Sequence, residues 1–552
     1  MQNFSALKRN ENLLKASSEH FDVLIIGGGI TGAGIALDAA SRGMKVLLLE
    51  KNDFAGGTSS KSTKLIHGGL RYLKQLEFAL VRSVGRERVI IHKLAKHIVK
   101  PVDMLLPIYK NGSLGKYTTT MALWVYEFLA GVQKEDKFKM LNLSATQQKE
   151  PLLNNTGLIG AALYKEYQTD DARLTIEVLK TAATFGALSV NYTLCEGFIY
   201  NMDTNPQITG IQFRDLLQNK MYPATATKII NAAGPWVDEI RLKDSAPDKK
   251  SLHLTKGVHI VIDKNRLPVR QAVYFDVAGD NRMIFVLPRN NCIYIGTTDT
   301  TYTGDKNIIE VTAQDTEYLL KAVNHIFPEA DILNRDIISS WAGLRPLIHE
   351  AGKSPSELSR KDEIFIASSG LISIAGGKLT GYRKMAEKVV NQIAKDLEKV
   401  TQNKYPKCST ASIPLNGSGI SIPIDEYIQR RAGEASQINF TVEDIFYLVN
   451  TYGSDTEKIM EIAFNNFQKL ENKNDSLISA EIRYSIEQEM TNNISDFAIR
   501  RTGRLYFEKR TLENNYLRIH ELISEQLNKD GVEKNDNLLF FEEILTNATD
   551  FK

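Results

Sequence analysis

At 552 residues the chain is too long for one simple domain and is sized for roughly three or four units. Hydrophobic residues at 43% and charged residues at 24% are ordinary for a globular protein with a sizeable core. With 68 basic against 66 acidic residues the net charge is only +2, which argues against nucleic acid as a partner.

Residues 1–20 are polar and read as a loose arm or a short surface helix with no apolar run of signal-peptide length. FDVLIIGGG then reads as a buried strand ending in a glycine turn, ITGAGIALDAASRG as a helix, and MKVLLLEK as a second strand. Gly27, Gly29 and Gly32 fall in the GxGxxG pattern, and Glu50 ends the next strand. In that βαβ context the pattern is a dinucleotide fingerprint. Gly27 permits the tight turn, Gly29 lets a pyrophosphate approach the backbone, and Gly32 lets helix and strand pack closely. The helix N-terminus offers unpaired N–H groups to the anion, and Glu50 accepts from a ribose.

FAD and NAD share this fingerprint, so the discriminator lies downstream. DFAGGTSSKSTKLIHGGLRY follows Glu50 directly and supplies hydroxyls at Thr58, Ser59, Ser60, Ser62 and Thr63. Small hydroxyl residues and bare amides suit the pyrophosphate and ring edges of a flavin. A nicotinamide enzyme would usually continue the alternating βα pattern at this point. The stretch KLIHGGLRY within it sets a titratable His67 and a fixed charge, Arg71, around Gly68 and Gly69.

Farther along, MALWVYEFLAGV groups Leu123, Tyr126, Leu129 and Ala130 on a helix, with Trp124 suited to a membrane interface. Arg82, Arg86, Arg88, Lys93, Lys96 and Lys100 lie upstream, where they would meet anionic headgroups. A core helix beside a solvated charged face is the competing reading. The run is shorter than the roughly 20 apolar residues needed to span a bilayer. KIINAAGPWVDEI repeats strand, glycine turn and helix start, bringing Ala233 and Gly234 to a second turn. Between about 250 and 300, short β-rich runs split by Asp, Gly, Asn and Pro suggest an antiparallel sheet. IFIASSGLISIAGGK returns to strand. Tyr382, Met385, Val389, Ile393 and Leu397 then share one helical stripe. Residues 404–422 form a connector, and the chain beyond reads as helices, with NKDGVEKNDN (residues 528–537) as a loop. Cys195, Cys292 and Cys408 are widely spaced, which signals neither a disulfide framework nor a zinc site and fits a reducing compartment. No metal site is expected.

The motifs GGGITGAGIALDAASRG, TSSKSTKLIHGGLRYL, NAAGPWV, KGVHIVI, IGTTD, GLRPL and GGKLTGYRKMAE occur in this order, followed by SDFAIRRT (residues 495–502). Over roughly residues 20–510 the chain resembles the FAD-dependent, respiratory, quinone-linked glycerol-3-phosphate dehydrogenases. The first 20 residues and the extension past about 525 stand outside that pattern. The resemblance implies an α/β fold: a glutathione-reductase-like FAD-binding Rossmann domain (21–100, 160–250 and 340–403), an antiparallel-sheet substrate-binding domain (101–159 and 251–339) and a C-terminal helical cap domain (404–552).

It also implies oxidation of sn-glycerol 3-phosphate to dihydroxyacetone phosphate with non-covalent FAD and a membrane quinone as acceptor. The expected setting is cytoplasmic, on the inner face of the membrane without crossing it. A homodimer is an open expectation. The alternatives are an oxidase that uses oxygen and a non-catalytic flavin-binding protein. The modest spacing between GLRPL and GGKLT favours the dehydrogenase.

Three tasks follow from that chemistry. Arg345 and Arg71 suit the phosphate, since guanidinium groups offer paired donors and stay charged, and Tyr72 and Lys378 add donors. His67 and His259 compete as the base for the C2 hydroxyl, with His67 preferred. Gly376 and Gly377 let backbone approach the ring, while Lys378, Leu379 and Thr380 open a helix suited to stabilising negative charge. Thr297 and Thr298 are candidate donors to substrate or ring. The non-catalytic alternative predicts that His67, Arg71, Arg345 and Lys378 do not share one pocket.

Overall fold

The computed structural model describes residues 3–67, 77–110, 112, 115–132, 136–245, 251–277, 279–280, 282–348, 362–467 and 473–551. Gly68, Gly69, Arg71 and Tyr72 lie outside the described residues.

The apolar runs around the fingerprint build a central sheet of eight described strands. His20–Ile26 lies between Val46–Leu49 and Lys220–Asn231, parallel to both. Leu188–Val190 continues the parallel sheet on one side and Ile372–Gly376 on the other, and Asp362–Ile366 closes that edge antiparallel. Val23, Leu24, Ile25, Leu47 and Leu48 are fully buried, as continuous apolar strands covered on both faces must be. Burying each such side chain stabilises the fold by about 1.5–3 kcal/mol.

Helices Ile30–Ser41, Asp171–Thr184 and Tyr382–Thr401 share one core with these strands. Ile30–Ser41 and Tyr382–Thr401 cross closely at Gly34, where an added Cβ would stand 2.8 Å from the Tyr382 ring. The expected stripe Tyr382, Met385, Val389, Ile393 and Leu397 is buried throughout.

A second sheet of ten described strands is mostly antiparallel. Its long central strand, Leu252–Asp263, pairs with Cys292–Gly296 on one side and Ile337–Ile348 on the other. Lys100–Tyr109 and Leu158–Gln168 also belong to it. Chain crossings set at 160 and 340 therefore fall inside strands of this sheet, because ladder pairing carries each strand past those points.

Three sequence expectations change. First, of the two readings of the N-terminal segment the helix holds and the loose arm does not, and that helix is anchored in the core. Arg9–Ser18 is helical, Leu13 and Ala16 are buried, and Arg9 Nη2 meets Asp215 Oδ1 at 2.6 Å. Second, residues 531–537 are helical instead of a loop. Asp530 caps helix Gly531–Asn547 by accepting from the Glu533 amide at 2.8 Å, and Phe541 anchors it in the core. Third, helix Lys116–Ala130 turns the expected membrane stripe inward. Leu123 and Tyr126 are buried, and Leu129 packs against the same core. Arg88 is also unavailable to headgroups, since it is buried with its Nη1 on Tyr126 Oη at 2.8 Å and Glu166 Oε2 at 3.0 Å.

The C-terminal helices, from Ile424 onward, dock on the first domain through buried charges. Arg173 bonds Glu489 through two nitrogens at 2.7 and 2.8 Å and also reaches Glu177. Lys180 contacts Glu489, Asp455 and the Tyr484 hydroxyl. No helix of the described residues is long and apolar enough to cross a membrane.

Candidate active site

A long cavity follows the carboxyl ends of the parallel strands, where ligands bind in open α/β sheets. Glu50, Lys51, Asn52 and Thr193 line it at one end of the strand order, Gly27, Gly29, Ile30 and Thr31 at its middle, and Ala233, Trp236, Glu239 and Gly376 to Thr380 follow the strands on the other side. Thr58, Ser59, Ser62, Thr63 and His67 line it from the segment that follows Glu50, and His259 and Arg345 bring the second sheet to it.

The fingerprint glycines are required by close approach. Gly27 has φ +114°, and a Cβ there would sit 2.6 Å from the Ala232 carbonyl oxygen. A Cβ on Gly32 would lie 1.9 Å from the Gly27 carbonyl oxygen. Gly32→Ala should therefore push the helix off the strand, costing about 1–3 kcal/mol or more. The expected outcome is protein that purifies with little or no flavin, read from its visible absorbance. Full flavin content would contradict this account of the turn.

Glu50 Oε2 accepts from the Gly28 amide at 2.6 Å, and Oε1 from the Asn52 amide at 2.8 Å. Burial raises its pKa against those two bonds. Ser59 Oγ accepts from the Ile30 amide at 3.0 Å and so caps the helix. The other hydroxyls turn to the protein. Thr58 donates to Leu344 O at 2.7 Å, Ser60 is buried with its hydroxyl toward Gly57 O, and Ser62 Oγ accepts from the Lys64 amide. Gly234 has φ +56° and opens the turn Gly234–Trp236.

The pleat explains the substrate-sheet side. Gly257 pairs with Gly343, His259 with Trp341, and Thr255 with Arg345. Gly257, His259, Gly343 and Arg345 consequently share one face. Bare positions make the room: a Cβ on Gly257 would be 2.4 Å from Arg345 Nη2, and one on Gly296 would be 2.1 Å from the His259 ring. Arg345 sits within the strand Ile337–Ile348. Its Nη1 donates to Thr298 O at 3.1 Å and to Asp299 Oδ1 at 3.0 Å, and its Nη2 to Thr297 Oγ1 at 2.9 Å.

Thr298 itself is turned away from the cavity lining. Its hydroxyl accepts from the Val258 amide at 3.0 Å and faces Lys256 O. His259 stacks on Trp341 with centroids 4.8 Å apart, and its Nε2 lies 3.0 Å from Thr63 Oγ1. Burial first, then Arg345 and Lys64, hold its pKa well below the usual imidazole value, so it is neutral at physiological pH. His67 lines the cavity edge-on to Phe285 at 5.9 Å. Lys378 precedes the turn Leu379–Gly381 and also lines the cavity.

His67, His259, Arg345 and Lys378 thus border one cavity with the fingerprint, as a non-catalytic flavin binder would not require. Sequence reasoning missed Lys61, another lining residue, whose pKa burial and then Arg500 push down to about 8. It also missed Trp341. Strand alternation through SSWAGLRPL, which sets Trp341, Gly343 and Arg345 on one face, was the available signal. Among the described residues no group of His, Cys, Asp and Glu is arranged to hold a metal.

The βαβ turn with its close-packed glycines, and Glu50 closing on it at the end of the next strand, are the features of a dinucleotide-binding oxidoreductase. The family described as FAD dependent oxidoreductase matches residues 22–383, and the C-terminal domain of alpha-glycerophosphate oxidase matches residues 408–534. An aerobic glycerol-3-phosphate dehydrogenase of Staphylococcus saprophyticus is 47% identical over 532 residues, covering 96% of this chain and 95% of the relative. That of Bacillus subtilis is 45% identical over 548 residues, covering 99% and 98%. The crystal structure of the glycerol-3-phosphate dehydrogenase from Bacillus halodurans complexed with FAD matches with a TM-score of 0.85 at 40% identity, over 99% of both chains.

The chain belongs to the FAD-dependent glycerol-3-phosphate dehydrogenase family, and its cofactor is FAD. The first 20 residues and the extension past 525, set apart on motifs alone, fall largely within the span shared with the Bacillus subtilis relative.

Proposed function

We propose that the protein oxidises sn-glycerol 3-phosphate to dihydroxyacetone phosphate and passes the electrons to a membrane quinone. The observation that carries this reading is the convergence of Arg345, Lys378, His67 and His259 on the cavity that holds the dinucleotide fingerprint. Bound FAD supplies the acceptor for the hydride that leaves C2. Arg345, oriented by Thr297, Thr298 and Asp299, holds the phosphate, and Lys378 adds a second cation. Arg71 and Tyr72 are proposed as further phosphate donors on motif grounds. His67 takes the C2 hydroxyl proton. His259 is the poorer base because burial, then Arg345 and Lys64, hold its pKa well below the usual imidazole value.

The outer face of helix Lys116–Ala130 supports membrane attachment. Tyr117, Met121, Trp124 and Phe128 lie one above another at helical spacing and are 89%, 66%, 64% and 76% exposed. Trp124 and Phe128 stack at 6.2 Å. Arg82, Arg86, Lys93 and Lys96 are exposed upstream. Such a face suits the headgroup boundary.

Trp124→Ser with Phe128→Ser should abolish flotation with anionic liposomes while leaving the fold and soluble activity intact. Leu123→Asp should instead unfold the protein. Unchanged flotation of the double variant would remove this helix from the account. The acceptor is tested by following turnover with a soluble quinone analogue against oxygen uptake. Fast turnover with oxygen alone, and none with the quinone, would replace the dehydrogenase reading with an oxidase.

A further inference from the structure

The segment that follows Glu50 is held from outside the cofactor domain. Asp53 is 1% exposed and is not among the residues lining the cavity, although Glu50, Lys51 and Asn52 are. Its Oδ2 accepts from Arg501 Nη1 at 2.6 Å and from Arg500 Nε. Its Oδ1 accepts from Arg501 Nη2 at 2.7 Å and from Asn191 Nδ2 at 3.0 Å. Burial works against this carboxylate, but Arg501 and Arg500 together hold its pKa below the ordinary range.

Both arginines sit on the helical turn Asp496–Arg501 of the C-terminal region. That turn is itself fixed. Tyr192 donates to Asp496 Oδ1 at 2.5 Å, and Arg501 donates through Nε and Nη2 to Glu489 O at 3.1 and 2.8 Å.

On its other side the same segment closes on the fingerprint turn. The Ala55 amide donates to Gly28 O at 3.1 Å, and a Cβ on Gly28 would stand 2.6 Å from the Phe54 ring. The Gly28 amide in turn donates to Glu50. Residues 50–57 are thus wedged between the dinucleotide turn and two arginines of the helical region, with Asp53 as the only ion-paired link of that segment to the helical region among the described residues.

We propose that Asp53 is a positioning residue that couples docking of the C-terminal helical region to FAD binding. It holds Glu50 and the Gly28 turn in binding geometry while Arg500 and Arg501 are seated. Coupling of this kind is reciprocal, so FAD tightens docking by the factor by which docking tightens FAD.

The test is titration of FAD into the apoprotein, followed by quenching of flavin fluorescence, for wild type, Asp53→Asn, Arg501→Lys and Asp455→Asn. Asp53→Asn keeps the shape and removes the charge. Its FAD dissociation constant should rise at least tenfold. Arg501→Lys keeps the charge, loses the two-pronged bond and should fall between. Asp455→Asn weakens the same docking interface through Lys180, away from residues 50–57, and should change FAD affinity less than threefold.

Proteolysis of the connector, residues 404–422, gives the reciprocal reading. FAD should slow its cleavage in wild type and Asp455→Asn but not in Asp53→Asn. The proposal is overturned if Asp53→Asn binds FAD within threefold of wild type, if Asp455→Asn loses FAD as severely while its connector resists cleavage as in wild type, or if FAD gives wild type no protection. Should Asp53→Asn fail to fold, Arg501→Lys decides: unchanged FAD affinity in that variant overturns the proposal.

Discussion

Arg345→Ala should weaken glycerol 3-phosphate binding by about 2–4 kcal/mol, the cost of losing a charge-assisted contact to a buried anion. That is roughly 30-fold or more in the dissociation constant. FAD should stay bound, because Arg345 stands on a strand of the second sheet, outside the βαβ unit that carries the fingerprint. Arg345→Lys should recover only part of the loss. Three bonds, to Thr298 O, Asp299 and Thr297, use the fork of the guanidinium, and one ammonium cannot reproduce them while also meeting a phosphate. Substrate-concentration dependence of anaerobic flavin reduction measures the change. A shift below about threefold, roughly 0.7 kcal/mol, would remove Arg345 as a phosphate ligand.

Glu489→Ala should be among the most destabilising single substitutions in the chain. Glu489 is fully buried and meets Arg173 at 2.7 and 2.8 Å and Lys180 at 3.1 Å. Its removal strips Arg173 of its two-pronged bond and Lys180 of one contact, leaving only Glu177 and Asp455 to meet both cations among the described residues, and breaking a buried pair in this way costs about 3–5 kcal/mol. Burial also shields the cluster from salt, so the loss should persist at high ionic strength. The expected result is a clearly lower Tm at a fixed scan rate and early cleavage of the C-terminal helices. Arg483→Ala, which breaks an exposed pair with Glu487, is the comparison, and such pairs contribute about 0–1 kcal/mol. Equal Tm shifts for the two variants would contradict the assignment of docking energy to the buried cluster.

The cofactor half of the site was legible because its chemistry is local. Gly27, Gly29, Gly32 and Glu50 fall within one βαβ unit, so spacing alone brings them together. The substrate half depends on pairing between distant strands. His259 and Arg345 are far apart in sequence and meet only through the ladder that sets Gly257 against Gly343. No period in either strand reveals that register. Thr298 looked like a donor in IGTTD, yet its hydroxyl is spent on the backbone of the neighbouring strand.

Helix Lys116–Ala130 misled for a related reason. It is apolar nearly all round, so composition could not say which stripe faces the core. The core takes Leu123 and Tyr126, and the aromatic stripe Tyr117, Trp124 and Phe128 is left outside. The charged docking cluster was invisible in sequence because Arg173, Lys180, Asp455 and Glu489 each read as ordinary surface residues. Only burial distinguishes them.

The proposed reaction begins with reduction of the bound flavin by glycerol 3-phosphate. The most direct measurement is anaerobic mixing of the purified yellow protein with sn-glycerol 3-phosphate while the flavin absorbance is recorded. Rapid bleaching and one dihydroxyacetone phosphate formed per flavin are expected, with no bleaching by glycerol, which lacks the phosphate proposed to meet Arg345 and Lys378. A flavin that stays oxidised in the presence of saturating glycerol 3-phosphate, or that bleaches equally with glycerol, would contradict it.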